Sequence, residues 1–168
     1  MPTGRNTQLT KQVGEYLVSA ELCRRGYIST TFTGNVPDFD ILAINEKHKA
    51  IPIQVKTIQA AAWQFDATRF INIEINGRVQ KVTGKRKVFY PNLVFILVKL
   101  NGQGKDEFFI MRYRDLQNWI FRTYKKYLKP RKGIRPKNPN STHTAVLPHE
   151  IERFKENWQL IEDNFKKL

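Results

Sequence analysis

Cysteine is nearly absent from this chain. Cys23 is the only one in 168 residues, which excludes an internal disulfide and any cysteine-based zinc site within one chain. Set on a helical stretch, Cys23 is expected to be a small buried residue. Histidine is scarce too: His48, His143 and His149 fall in expected loops or at a helix start and read as surface residues. Long hydrophobic runs are missing, the strongest being Leu93–Val98, far too short to span a bilayer. The opening Met-Pro-Thr-Gly-Arg-Asn-Thr-Gln has no signal-peptide pattern, so a soluble, cytoplasmic protein with no membrane partner is expected. Acidic residues are in short supply as well, 15 against 29 Lys and Arg, for a net charge of +14.

What is present fits one globular domain spanning residues 1–168, with 40% hydrophobic residues to build a core. The charge is concentrated. Residues 61–137 hold 18 basic and 5 acidic residues, whereas the flanking segments are close to neutral. Such a local excess is the footprint of a polyanionic partner, most often nucleic acid, because a merely solubilising surface mixes its signs.

The elements follow from periodicity. Residues 7 to about 25 read as a helix capped near Asn6 or Thr7 and stopped by Gly26, with Leu9, Val13, Leu17 and Ala20 as its apolar stripe. Glu15 shares a different line with Val18 and Leu22, so it is expected to face protein. Tyr27–Phe32 reads as a strand leading to a turn at Thr33–Pro37, and residues 58–69 as irregular or partly helical. Phe70–Ile75 alternates with Ile71, Ile73 and Ile75 inward, and turns at Asn76-Gly77 into Val79–Val82. Leu93–Leu100 and Glu107–Arg112 form a further strand pair, followed by a helix from about Arg114 whose aromatics belong to the core. A mobile basic segment is expected at about 129–143, and an amphipathic helix from about Pro148, with Ile151, Phe154, Trp158, Ile161 and Phe165 on one side.

The chemistry centres on Val36–Asn45 and Ile51–Thr57. Both alternate as strands around the polar stretch 45–50, so Gln54 and Lys56 share a face and antiparallel pairing brings Asp40 beside them. Metal-assisted phosphodiester hydrolysis needs oxygen ligands for a hard cation, a held water, and positive charge for the transition state. Glu15 and Asp40 offer carboxylates, Gln54 an amide oxygen and Val55 its peptide carbonyl. Lys56 is placed to hold the attacking water or to balance developing charge. Glu74 is a weaker acidic candidate.

At these residues the chain resembles the PD-(D/E)XK nuclease superfamily, with Glu15 on the first helix, Asp40 at the start of one hairpin strand, and Gln54-Val55-Lys56 for (D/E)-x-K. Glutamine replaces the usual acid, which resembles the minority Q-x-K branch that includes a cyanobacterial group I intron homing endonuclease. The resemblance is clear over about residues 10–57. It implies an α/β, restriction-endonuclease-like core, a mixed central sheet flanked by helices, with a C-terminal helix. It further implies an Mg²⁺- or Mn²⁺-dependent site-specific endonuclease of homing type, acting on double-stranded DNA as a homodimer or homotetramer. Glu15, Asp40, Gln54 and Lys56 would be catalytic, and Glu15, Asp40, Gln54 and Val55 would hold the metal. Asp40 is preferred to Asp38 because it directly precedes the apolar strand, as the family's aspartate does; Asp38 either supports the site or is an ordinary turn residue. Backbone contacts fall to Lys81, Lys85, Arg86, Lys87, Lys125, Lys126, Lys129, Arg131, Lys132, Arg135 and Lys137. The alternatives are a nuclease specific for junctions, and an inactive nucleic-acid-binding protein on the same fold.

Overall fold

The computed structural model describes residues 4–32 and 38–168; the turn expected at Thr33–Pro37 lies outside the described residues. The chain forms two compact units. One comprises residues 1–63, 92–112 and 147–168, and the other residues 64–91 and 113–146. The second is thus made of two excursions from the connections of the first.

The first unit is an α/β layer structure. Helix α1 (Gly4–Arg24) leads into a five-stranded mixed sheet of order β1-β2-β3-β7-β8, and a short helix α3 (Gln159–Phe165) closes the chain. Strands β1 (Ile28–Thr31), β2 (Ile41–Ile44) and β3 (Ala50–Ile58) run antiparallel in sequence order, and β3 pairs in parallel with β7 (Val94–Lys99), which pairs antiparallel with β8 (Glu107–Arg112). The β2–β3 turn is built by Asn45, whose Oδ1 accepts from the backbone of Lys47 and Lys49 at 3.1 and 3.0 Å, while His48 takes a positive φ of 57°. This fixes the register Ile41↔Ile53 through Ile44↔Ala50. Alternation then buries Ile41, Ala43, Ile51, Ile53 and Val55 in one core with Val18 and Leu22 of α1 and Ile161 and Phe165 of α3.

Helix α1 departs from the sequence expectation in three ways. Its caps are not Asn6 or Thr7, which lie inside the helix. Its buried line is Gly14, Val18 and Leu22, whereas Leu9 and Val13 are 49% and 43% exposed. Close approach, not the number of apolar residues, chose the face: a Cβ on Gly14 would sit 1.8 Å from Thr57 Oγ1, so only glycine lets the helix rest on β3. Cys23, on the outer side, is exposed rather than buried.

The C-terminal stretch is also less helical than its periodicity predicts. Residues 148–150 and 152–154 are single 3-10 turns, and only Gln159–Phe165 is α-helical. In between, Lys155 bridges Phe109, and Glu156, at φ 52°, donates its N–H to Phe108 O at 2.8 Å, so this segment satisfies the outer edge of β8. Its apolar set nevertheless faces inward as expected: Ile151, Phe154, Trp158, Ile161 and Phe165 are all buried.

The second unit contains β4 (Trp63–Asp66, beginning on the last residue of the first unit) paired with β9 (His143–Val146), the ribbon β5 (Ile71–Asn76) with β6 (Val79–Lys85), and helix α2 (Tyr113–Leu128). Strand β4 was not expected in residues 58–69, whereas the 3-10 turn at Ala67–Arg69 accords with the partly helical reading of that stretch. Its core includes Phe65, Phe70, Leu116, Trp119, Ile120 and Tyr124, so Trp119 and Tyr124 of α2 are core residues as expected, whereas Tyr127 is exposed. The β5–β6 ribbon is covered unevenly, at Ile71 at its root and at Gln80 near its turn. Ile71 is buried, but Ile75, expected inward, is 38% exposed. Buried Gln80 ties residues 129–143 to the ribbon: it accepts from Tyr124 Oη at 2.6 Å and donates to Pro139 O and to Ser141 O, the latter at 3.0 Å.

Candidate functional site

The site is built where β2 has not yet begun and β3 runs on with β7 on one edge and no strand on the other. Asp40 donates its backbone N–H to Ile53 O at 2.8 Å, the last rung before the ladder stops. Two residues further along β3, the Asp40 carboxylate takes the place of a strand: Oδ2 accepts from Val55 N at 2.8 Å and from Gln54 Nε2. The N–H and C=O of one strand residue lie on the same edge, so the Val55 carbonyl also faces this gap. Lys56 follows Gln54 by two residues, on the side of β3 opposite Ile53 and Val55. Its own carbonyl accepts from Trp63 Nε1 at 2.9 Å, which fixes the strand there.

Glu15 reaches the same gap from α1. Lys11, one turn earlier, places Nζ 3.4 Å from Glu15 Oε1 and 3.4 Å from Asp40 Oδ1. The two carboxylates are little exposed, with side chains 14% and 10% accessible. Burial, and then the neighbouring Asp40 charge, push the Glu15 carboxyl above its ordinary pKa, with Lys11 offsetting part of the rise. For Lys11, burial acts against the charge, but Asp40 and Glu15 outweigh it and the ammonium pKa is raised. At 3.4 Å Lys11 is an ion-pair partner of Glu15 without hydrogen-bond geometry, so the buried Oε1 has no hydrogen-bond partner among the described residues.

Asp40, Gln54, the Val55 backbone and Glu15 are thus gathered beside the middle of β3, just past its last rung with β2. Lys11, the fifth member, was missed in the sequence. Its i,i+4 spacing from Glu15 was visible there; its contact with Asp40 is tertiary. Asp38 stands apart, exposed and at φ 76°, in the conformation of a turn residue. Glu74 is exposed on β5 opposite Lys81, and the three histidines are exposed as expected.

A hard divalent cation suits this donor set. The donor atoms on offer are oxygens, two carboxylates repel one another in a poorly solvated gap, and one buried carboxylate oxygen lacks a hydrogen bond. Among the described residues no three His, Cys, Asp or Glu side chains gather into a metal-holding group, so the protein charge offered is that of two carboxylates.

All eleven basic candidates lie in the second unit. Ten of them are exposed and Arg135 is half-buried. That unit holds 15 Lys and Arg against three Asp and Glu, a surplus of 12 out of the chain's +14. Several of these cations rest on α2 aromatics: Arg131 lies 4.0 Å and Arg135 5.2 Å from the Tyr127 ring, and Lys85 and Lys125 lie 5.2 and 5.0 Å from Phe121. Stacking restrains the side chains without neutralising them, which suits phosphate contact. No described helix is long and apolar enough to cross a membrane.

No family model and no curated protein matches this sequence. Among solved structures, the chain is similar to a bacterial homing endonuclease, I-Ssp6803I, at a TM-score of 0.55 and 10% identity over 96% of both chains. At that identity the likeness establishes a shared fold, and the chain therefore has the fold of that endonuclease over nearly its whole length.

Proposed function

We propose that this protein is a divalent-metal-dependent DNA endonuclease of homing type, a Q-x-K variant of the PD-(D/E)XK superfamily. The observation that carries the reading is the convergence of Glu15, Asp40, Gln54 and the Val55 backbone where the β2–β3 ladder ends. In this reading Glu15, Asp40, the Gln54 side chain and the Val55 carbonyl hold Mg²⁺ or Mn²⁺. The bound cation supplies Lewis-acid activation of a water and of the phosphate. Lys56 orients the attacking water and balances charge in the transition state. Gln54 has a second task that an ionised acid could not perform, since its amide donates to Asp40 and holds that carboxylate in place. The positive unit grips double-stranded DNA through phosphates. The fold shared with a homing endonuclease supports the choice of subclass.

Cutting both strands at one locus calls for two such sites, so the active form is a homodimer or homotetramer. The exposed Leu9, Val13 and Tyr16, spaced i, i+4 and i+7 on α1, form an apolar face suited to a second copy. The test is cleavage of supercoiled DNA with Mg²⁺. Wild type should cut and Lys56→Ala should not, and cutting that survives in Lys56→Ala rules out this mechanism. Binding without cleavage under any divalent ion would instead favour an inactive DNA-binding protein, and preference for a branched over a linear duplex a junction nuclease. Six to ten phosphate contacts imply an affinity loss of roughly 10³ to 10⁵ between 50 and 200 mM salt, and a flat response would remove DNA as the partner.

A further inference from the structure

We propose that Lys11 is the resident counter-cation of the Glu15–Asp40 pair, and that a divalent metal enters the site by displacing its ammonium. The inference rests on the metal-dependent reading above and assigns a role to a residue outside the family-like motif. Lys11 Nζ sits 3.4 Å from Glu15 Oε1 and 3.4 Å from Asp40 Oδ1. These are the oxygens left over by the rest of the site: Asp40 Oδ2 is already taken by Gln54 and the Val55 N–H, and Glu15 Oε1 is buried without a hydrogen bond.

The geometry is that of a loose occupant. A structural buried ion pair is close and saturated with hydrogen bonds, because only then does its attraction offset desolvation. Here both contacts are long, and the lysine side chain is 50% exposed on an unbranched stem that can swing to solvent. Magnesium binds oxygen at about 2.1 Å, and manganese occupies similar oxygen sites. An ammonium drawing on the same two oxygens cannot remain between them and the metal. Binding is therefore an exchange of one cation for another. Without metal, Lys11 and the Gln54 amide together hold two repelling carboxylates at working separation, so the site is assembled before the metal arrives. The cost is a lower apparent metal affinity.

The test is Mn²⁺ binding to the full chain, followed by the electron spin resonance of free Mn²⁺ at about pH 8, together with thermal unfolding with and without Mn²⁺. Wild type, Lys11→Met, Lys11→Gln and Asp40→Asn are compared. Wild type should bind Mn²⁺ at a site weakened by Asp40→Asn. Both Lys11 variants should bind it about three- to thirtyfold more tightly, the range for removing one or two competing exposed ion pairs. Metal-free Lys11→Met should also melt below wild type, and excess Mn²⁺ should close that gap. The glutamine variant retains a polar side chain, so affinity can be read even if Lys11→Met folds poorly. Unchanged or weaker Mn²⁺ binding in the Lys11 variants, with wild-type binding intact, overturns the exchange and leaves the metal reading standing. No Mn²⁺ binding by wild type overturns both.

Discussion

Replacing Gln54 with glutamate, which restores the commoner acid of the motif, is expected to destabilise the metal-free protein. Asp40 Oδ2 accepts from the Gln54 amide and the Val55 N–H, and the substitution exchanges the first donor for a second carboxylate. Two such charges about 4 Å apart repel by about 4 kcal/mol at an effective dielectric near 20. Protonation limits the loss. Keeping a carboxyl of ordinary pKa near 4.3 protonated costs about 3.7 kcal/mol at pH 7 and about 1.6 at pH 5.5. Once protonated, the introduced carboxyl can donate to Asp40 as the amide did. A decrement of about 2–4 kcal/mol is expected at pH 7, or roughly 5–15 °C in Tm. The introduced carboxyl has its folded pKa raised, so the folded state binds more protons and stability falls as pH rises from about 4.3. The decrement should therefore shrink towards pH 5.5, and also on adding saturating Mg²⁺ or introducing Asp40→Asn. Thermal unfolding at the two pH values, with and without metal, reads all of this. A pH-independent decrement, or none, would refute the Gln54–Asp40 contact as the physical reason for glutamine.

Two further substitutions probe the scaffold and the electrostatics. Gly14→Ala should cost about 1–3 kcal/mol in chemical denaturation, because its Cβ meets Thr57 Oγ1 at 1.8 Å and Thr57 Cβ at 2.8 Å, and rotating the threonine relieves only the first. Lifting α1 also moves Glu15, so metal affinity should fall with stability; full stability in Gly14→Ala would show that the helix does not rest on β3. Glu15→Gln should separate folding from function. The Glu15 carboxyl is raised by burial and by Asp40, so its ionisation lowers stability as pH climbs above its ordinary value of 4.5. The variant should gain on wild type with rising pH in metal-free melts, yet lose more than about tenfold in metal affinity. A variant less stable than wild type at neutral pH would contradict this sign.

The hairpin was legible in the sequence because two strands of strict alternation and a polar five-residue turn leave one sensible register, and that register alone brings Asp40 beside Gln54. The face of α1 was not legible. Counting apolar residues favoured Leu9 and Val13, whereas the helix turned on the single position small enough to touch β3. The C-terminal periodicity predicted which residues are buried but not that the backbone would break at Lys155 and Glu156 to serve the edge of β8, a tertiary demand. Strand β9 was not legible, since four residues following a basic segment with Pro and Gly carry little period of their own. Ile75 looked inward because alternation marks a face without saying which of its positions are covered; its cross-strand partner Gln80 is buried while Ile75 is not. In the site, the candidate oxygen donors were visible as residue types; Lys11 was not, because a cation that bridges a helix and the residue before a strand leaves only half of its spacing in the sequence.

The central claim is that the Asp40 site cuts the DNA that the basic unit binds. Its most direct measurement is a pool of randomised duplexes incubated with Mg²⁺ and wild type or Asp40→Ala, scoring bound and cleaved molecules separately. The account predicts that wild type binds and cleaves, that chelation stops cleavage, and that Asp40→Ala binds as well as wild type while cleaving at least about 10²-fold more slowly. Cleavage by Asp40→Ala at the wild-type rate would contradict it.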